Sequence, residues 1–368
     1  MADSIFQVSI IGYGQVFHIP FVAATKNLRL HSIVQRKPSG GSSAPTDHPE
    51  AKHYTSFDQA LQDPDIDIIV LCTPPNTHFD QTKRAIEAGK HVLAEKPFVP
   101  SSAEAEELAK LAKEKNKLLC VYQNRRWDGD FLTVQHLLQE GKLGRIYEFE
   151  THFDRYRPDS PTRSWKSTLA MADGNGAIYD LGTHLLDQVY VLFGKPTAAY
   201  GKFINQREGR LVSGANGLED EPDSIHATLT YAERGLLVHV RIGVLSAESK
   251  QPRFWVRGSK GSYHKTGLDA QEPQLIGGMK ISDSGFGVDG AAYNGTIDIV
   301  QEDGSIQDYT LPNIEPQTYL KFYELLAGAL LSGKQEDLPV PAEEAVEVLK
   351  IVEAIKESAR TGKEISVA

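Results

Sequence analysis

The chain is poor in cysteine, with two among 368 residues, Cys72 and Cys120. That count leaves no disulfide framework and no cysteine-rich zinc site. Each cysteine sits in an apolar run, 66–72 or 118–122, so both read as buried strand thiols. No run approaches the ~18–20 apolar residues that span a bilayer, and residues 1–10 lack the positive start and long apolar stretch of a secretory signal. A cytoplasmic, reducing compartment is expected. Positive charge is also short: 39 Lys and Arg stand against 49 Asp and Glu, a net −10. Nucleic acid and anionic membrane are therefore poor partners, although a local basic pocket for an anion remains open. No internal repeat is visible. What is present, 40% apolar and 24% charged residues, is ordinary globular composition, and the length suits roughly two domains.

The first third alternates apolar strands with helical stretches. Strand candidates are 6–11, 28–34, 66–71, 91–94 and 118–122; helix candidates are 77–88 and 102–115. That alternation predicts a parallel sheet with helices on both faces, and the glycine turn after the first strand makes it a Rossmann domain over 1–123. From Asn124 the pattern changes. Helices are predicted over 130–140 and 184–193, with Phe131, Val134 and Leu138 on one face of the first. Strands at 146–153, 198–204, 224–231, 236–245 and 254–256 largely lack intervening helices. Acidic 219–223 reads as a loop tip, and Gly-rich 277–295 as loops. Two helices, 319–331 and 342–359, close the chain. The expected second domain, 124–368, is α+β with a large, mostly antiparallel open sheet.

Five segments carry chemistry. Gly12-Tyr13-Gly14-Gln15-Val16-Phe17 places glycines where a tight turn lets a pyrophosphate approach a helix N-terminus; the third glycine of the usual pattern is replaced by Phe17, and a plain strand–turn–helix also accounts for it. At the end of the second strand stand Gln35-Arg36-Lys37 and no acid. A carboxylate there holds the ribose of NAD and repels a 2′-phosphate, whereas an arginine fork grips one. NADP(H) is thereby favoured over NAD(H), unless this is a solvated basic loop. Thr73-Pro74-Pro75-Asn76-Thr77-His78 ends the third strand candidate on the ligand-binding edge of such sheets; Asn76 serves equally as a helix cap and His78 as a first-turn residue. Glu95-Lys96-Pro97 follows on that same edge. Lys96 is placed to stabilise a developing alkoxide, or is a surface lysine, and Pro97 stiffens the loop, a cis bond being one way to do so. In 176–184, Asp180 and His184 are four apart and share a face if that stretch is helical. A histidine carries protons near pH 7 and an aspartate orients it; a helix-start Asp and a core His fit as well. Too few further ligands lie nearby for a metal, and none is expected.

Asn124-Arg125-Arg126-Trp127-Asp128 lies where the first domain hands over to the second, with Arg155-Tyr156-Arg157-Pro158 and Trp165-Lys166 in the following loops. Such a crossing suits a pocket. Asn124 and Trp165 are expected at the cofactor, and Arg125, Trp127 and Tyr156 at the substrate; a structural role at the junction fits them as well.

The order Gly-x-Gly, TPPNTH, EKP and D-L-G-T-H resembles the Gfo/Idh/MocA family (glucose–fructose oxidoreductase and inositol dehydrogenase) over nearly the whole chain. The run 122–132, with Arg155 to Pro158, is most similar to the subgroup containing NADP-dependent scyllo-inositol dehydrogenases. The resemblance implies a Rossmann domain followed by an α+β domain whose outer sheet face builds a homodimer or homotetramer. It implies catalytic roles for Lys96, Asp180 and His184, cofactor contacts from Gly12 to Phe17, Arg36, Lys37, Thr73 to Asn76, His78, Glu95 and Lys96, and substrate contacts from Lys96, Asp180 and His184. The implied reaction is hydride transfer between NADP(H) and a polyol or sugar hydroxyl, or the matching ketone or lactone, with an inositol-like substrate favoured. The glycine loop is shorter here than in the subgroup. Two other readings share the outline: an aldose 1-dehydrogenase or imine reductase of the same family, and a non-catalytic NADP-binding transcriptional regulator. Retention of EKP with Asp180 and His184 favours an enzyme.

Overall fold

The computed structural model describes residues 4–38, 41–159 and 167–367. The chain divides into two compact units: 1–124 with 273–284 and 318–346, and 125–272 with 285–317 and 347–368. In the first, the apolar runs form β1 (Phe6–Ile11), β2 (Leu28–Val34), β3 (Lys52–Tyr54), β4 (Ile68–Leu71), β5 (His91–Ala94) and β6 (Leu119–Val121). All are parallel, in the order β3-β2-β1-β4-β5-β6. Continuous burial of β4 and β6 is what a sheet covered on both faces requires. The strand β3 was not expected: three residues, mostly polar, carry no readable period. Helices start where local chemistry dictates. Ser56 and Gln59 form a reciprocal capping box on Phe57–Gln62, and Ser101 caps Ser102–Glu114 by accepting from the Glu104 amide at 3.3 Å.

Helix Thr318–Ser332 belongs to this first unit although it follows the second sheet in sequence. Aromatic packing explains it. Tyr323 stacks on Phe21 with ring centroids 5.7 Å apart, and Phe322 meets Tyr122 edge-on at 4.9 Å.

The second unit carries ten strands: β7 (Ile146–Asp154), β8 (Ala198–Asn205), β9 (Arg210–Val212), β10 (Ser224–Tyr231), β11 (Leu236–Gly243), β12 (Pro252–Gly258), β13 (Gly261–Thr266), β14 (Gly295–Val300), β15 (Ile306–Leu311) and β16 (Ile365–Ser366). Their order is β15-β14-β13-β12-β7-β11-β10-β8-β16, with β9 beside β8. Every pairing is antiparallel except β7 with β11. Strand β7 alternates: Phe149, Thr151 and Phe153 face the core, while Glu148, Glu150 and Asp154 lie on the other side. Helices Gly129–Gln139 and Thr183–Phe193 cover the inner face. Phe149 packs on Phe193 at 5.2 Å, and Ser358 of the last helix, Ala342–Thr361, accepts from the Gly201 amide of β8 at 2.9 Å.

Arg253 locks this core. It is 1% exposed. Its guanidinium donates to Asp130 and Gln188, both at 2.7 Å, and to Thr151 at 3.1 Å. One side chain thus joins both covering helices to β12 and β7. Three local expectations change. Asn76 is exposed within a 3₁₀ turn, and Thr77 occupies the helix-cap position, so Asn76 does not cap. The 219–223 stretch is not a bare loop tip, because Asp220 is buried and accepts from Ser213 and Ala215. Cys120 is buried in β6 as expected, but Cys72 lies just beyond β4, half-buried.

Candidate active site

Parallel strands put all their carboxyl ends on one edge, and the order reverses between β1 and β4. In such sheets the crevice at that reversal receives the ligand. The segments after β1, β2, β4, β5 and β6 therefore share this edge: Gly12 to Phe17, Arg36 with Lys37, Thr73 to Asn76, Glu95 with Lys96, and Asn124. Gly12 has φ +91°, and a Cβ there would lie 2.8 Å from the Cys72 carbonyl oxygen; only glycine turns this tightly against β4. The amides of Tyr13 to Phe17 meet no backbone carbonyl among the described residues. A row of uncommitted N–H donors at a glycine turn fits a pyrophosphate. Arg36 and Lys37 are exposed at the end of β2, where their charges are available to an anion.

His18, which the sequence reading passed over, organises this edge. It is buried between Tyr323, whose hydroxyl is 2.5 Å from Nδ1, and Glu95, whose carboxylate is 2.9 Å from Nε2. Burial opposes charge on the ring, but the Cys72 sulfur and the Glu95 carboxylate outweigh it and raise the imidazole to about 10. Burial likewise works against charge on Glu95, yet His18 and Lys96 hold its carboxyl below the ordinary range. A charged pair ties the glycine loop to the segment carrying Lys96, whose amide donates to Glu95 at 3.0 Å. The bond between Lys96 and Pro97 is cis.

His78 supports the loops of this edge from within. Its ring is buried among carbonyls, with Nε2 2.8 Å from that of Thr73 and Nδ1 2.9 Å from that of Phe98. It braces the loop after β4 against the loop after β5, and burial keeps its pKa below the ordinary value.

In the second unit, Ile178–Gly182 is one turn of π-helix running directly into Thr183–Phe193. Such turns are rare and recur at functional sites. Asp180 and His184 lie four residues apart on this continuous helical backbone, so they are neighbours on one side of it. Asp180 is half-buried and His184 buried. The 125–130 run serves mainly as a clamp. Arg125 is buried and donates to Asp128 at 3.1 Å and to Glu272. Arg126 grips Asp187 with two bonds of 2.8 and 2.7 Å. The Trp127 carbonyl accepts from Gln271, and the Gly129 amide donates to Asp269. Tyr156 is 61% exposed, and Trp165 lies outside the described residues. The neighbouring Arg155 feels the charge of Asp180.

The family model described as "Oxidoreductase family, NAD-binding Rossmann fold" matches residues 6–123, and "Oxidoreductase family, C-terminal alpha/beta domain" matches 135–367. The chain is 38% identical to the oxidoreductase YdgJ of Escherichia coli strain K12, over 98% of both chains. It is 33% identical to IolW of Bacillus subtilis strain 168, a scyllo-inositol 2-dehydrogenase (NADP(+)), over 98% of this chain and 95% of that protein. Among solved structures, the oxidoreductase yvaA of Bacillus subtilis superposes with a TM-score of 0.87 at 31% identity, covering 100% of this chain and 99% of the other.

Proposed function

Because the chain belongs to the Gfo/Idh/MocA oxidoreductase family, we propose that it is an NADP(H)-dependent dehydrogenase of a polyol or sugar hydroxyl, with an inositol-like substrate. One observation carries this reading: a single sheet edge collects the glycine turn with its open amides, the basic end of β2 without an acid, and Lys96. The similarity to IolW supports both the nucleotide and the substrate class. Glycine-loop amides hold the pyrophosphate and Arg36 holds the 2′-phosphate. When bound, the nicotinamide supplies the hydride acceptor for oxidation, or the donor for reduction. In oxidation, His184 takes the hydroxyl proton, Lys96 hydrogen-bonds a substrate oxygen as charge develops on it, and Asp180 orients His184 or a neighbouring hydroxyl. In reduction, His184 returns the proton. We assign the outer face of the ten-stranded sheet to a homodimer or homotetramer, and the protein to the cytoplasm.

The test is absorbance at the reduced-nicotinamide band with NADP⁺ or NAD⁺ and a panel of inositols, aldoses and polyols. Turnover is expected with NADP⁺. Lys96→Ala should abolish it, and His184→Ala should lower it roughly 10²–10⁴-fold, the usual range for a positioned acid–base group. Tight NADPH binding with no turnover on any sugar would favour a regulator instead.

A further inference from the structure

Two guanidinium groups flank the Phe153 ring at the end of β7: that of Arg125 at 5.1 Å and that of Arg155 at 5.8 Å from the centroid. They are held differently. Arg125 is committed to Asp128 and Glu272. Arg155 is anchored by its backbone alone, its amide donating to Gly243 at 3.0 Å and its carbonyl accepting from Ser246 at 3.1 Å. Its side chain makes no ion pair among the described residues, and its Nε is buried without a hydrogen-bond partner. A buried, unsatisfied donor is costly, and its persistence in a site suggests that a ligand supplies the acceptor. Burial and the like charges of Arg157 and Arg207 disfavour the guanidinium's charge, while Asp180 and Glu272 face it and partly offset them; Arg207 is itself paired with Asp223.

Resting on the reading that Asp180 and His184 form the catalytic pair, we propose that Arg155 is the specificity-determining residue of the substrate site, its fork gripping two adjacent hydroxyl oxygens of a neutral polyol. The fork geometry asks for two neighbouring acceptors. Asp180 and Glu272 decide what kind. Two carboxylates facing the same guanidinium repel an anionic group, whereas each can accept a hydrogen bond from a further hydroxyl. A polyhydroxylated ring or chain meets both demands; a carboxylate-bearing sugar meets only the first.

The experiment is steady-state kinetics with NADP⁺, comparing scyllo-inositol and glucose with glucuronate, for the wild type, Arg155→Met and Arg155→Lys. Arg155→Met should raise KM for the neutral substrate about 10- to 100-fold, as loss of hydrogen bonds to a charged group does, with kcat within a few-fold of wild type. Arg155→Lys keeps the charge without the fork and should fall between, which also covers poor folding of the methionine variant. Wild type should prefer the neutral substrates. Unchanged KM in both variants, beside loss of turnover in His184→Ala, overturns this role while leaving the proposed reaction standing. A loss confined to glucuronate overturns the neutral-diol assignment. A wild type that turns over no polyol or sugar overturns the proposed reaction and this inference with it.

Discussion

At the residue scale, the sharpest consequence concerns His18. Its folded pKa lies well above the ordinary 6.5, at about 10. A raised basic group contributes stability that is complete below the unfolded value and is lost as pH rises through the folded one. The stability deficit of His18→Gln relative to wild type should therefore shrink between pH 7 and pH 10, as read by urea unfolding at both. A deficit that stays constant would mean the ring is not charged in the folded protein. Arg36 supplies the second residue-level consequence. Arg36→Asp should weaken NADPH roughly 10- to 100-fold, the worth of a charge-assisted fork, and NADH far less, in fluorescence titrations. Equal losses would place the 2′-phosphate elsewhere. The position of Arg36 at the end of β2 was legible because the end of the second strand is a fixed address counted from the glycine turn. The role of His18 was not: its partners Glu95 and Tyr323 lie 77 and 305 residues away, and one sequence gives no sign of such pairings.

At the element scale, long apolar strands were read to within a residue or two, β2 and β5 among them. The short or polar ones, β3, β9 and β13 to β16, were missed because their pairing rather than their composition makes them strands. The π-turn also escaped, since helical periodicity cannot distinguish a widened turn from a regular one. The 124–128 run fits a pocket or a structural role at the junction from sequence alone; in the structure Arg125 pairs with Asp128 and Glu272, Arg126 with Asp187, and the nearby Asp130 with Arg253. The hub is Arg253. Replacing it with methionine strands the buried Asp130 carboxylate, and Arg253→Met should cost about 3–5 kcal/mol of stability in urea unfolding, the range for breaking a buried pair from one side. A cost below about 1 kcal/mol would show that the clamp is not essential to the core.

At the scale of the whole molecule, the outer face of the ten-stranded sheet presents Tyr200, Leu237 and Trp255, each more than a third exposed. The proposed oligomer covers this face, because apolar groups gathered on an open sheet favour burial against a partner. Trp255→Glu should therefore shift the species seen by sedimentation velocity toward monomer, whereas an unchanged assembly would place the interface elsewhere. Among the described residues, no helix is long and apolar enough to cross a membrane.

The sequence by itself determined the fold class, the dinucleotide edge and the identities of Lys96, Asp180 and His184 as candidates. The first two rest on local chemistry, a glycine turn and the strand ends beside it; the three candidates rest on the resemblance carried by the EKP and D-L-G-T-H segments. Only the tertiary structure decided which charged groups are already spent and which remain open. Arg125, Arg126 and Arg155 are alike as letters, but the carboxylates that folding brings beside them divide the first two, which are ion-paired and hold the fold, from the third, whose side chain makes no ion pair among the described residues.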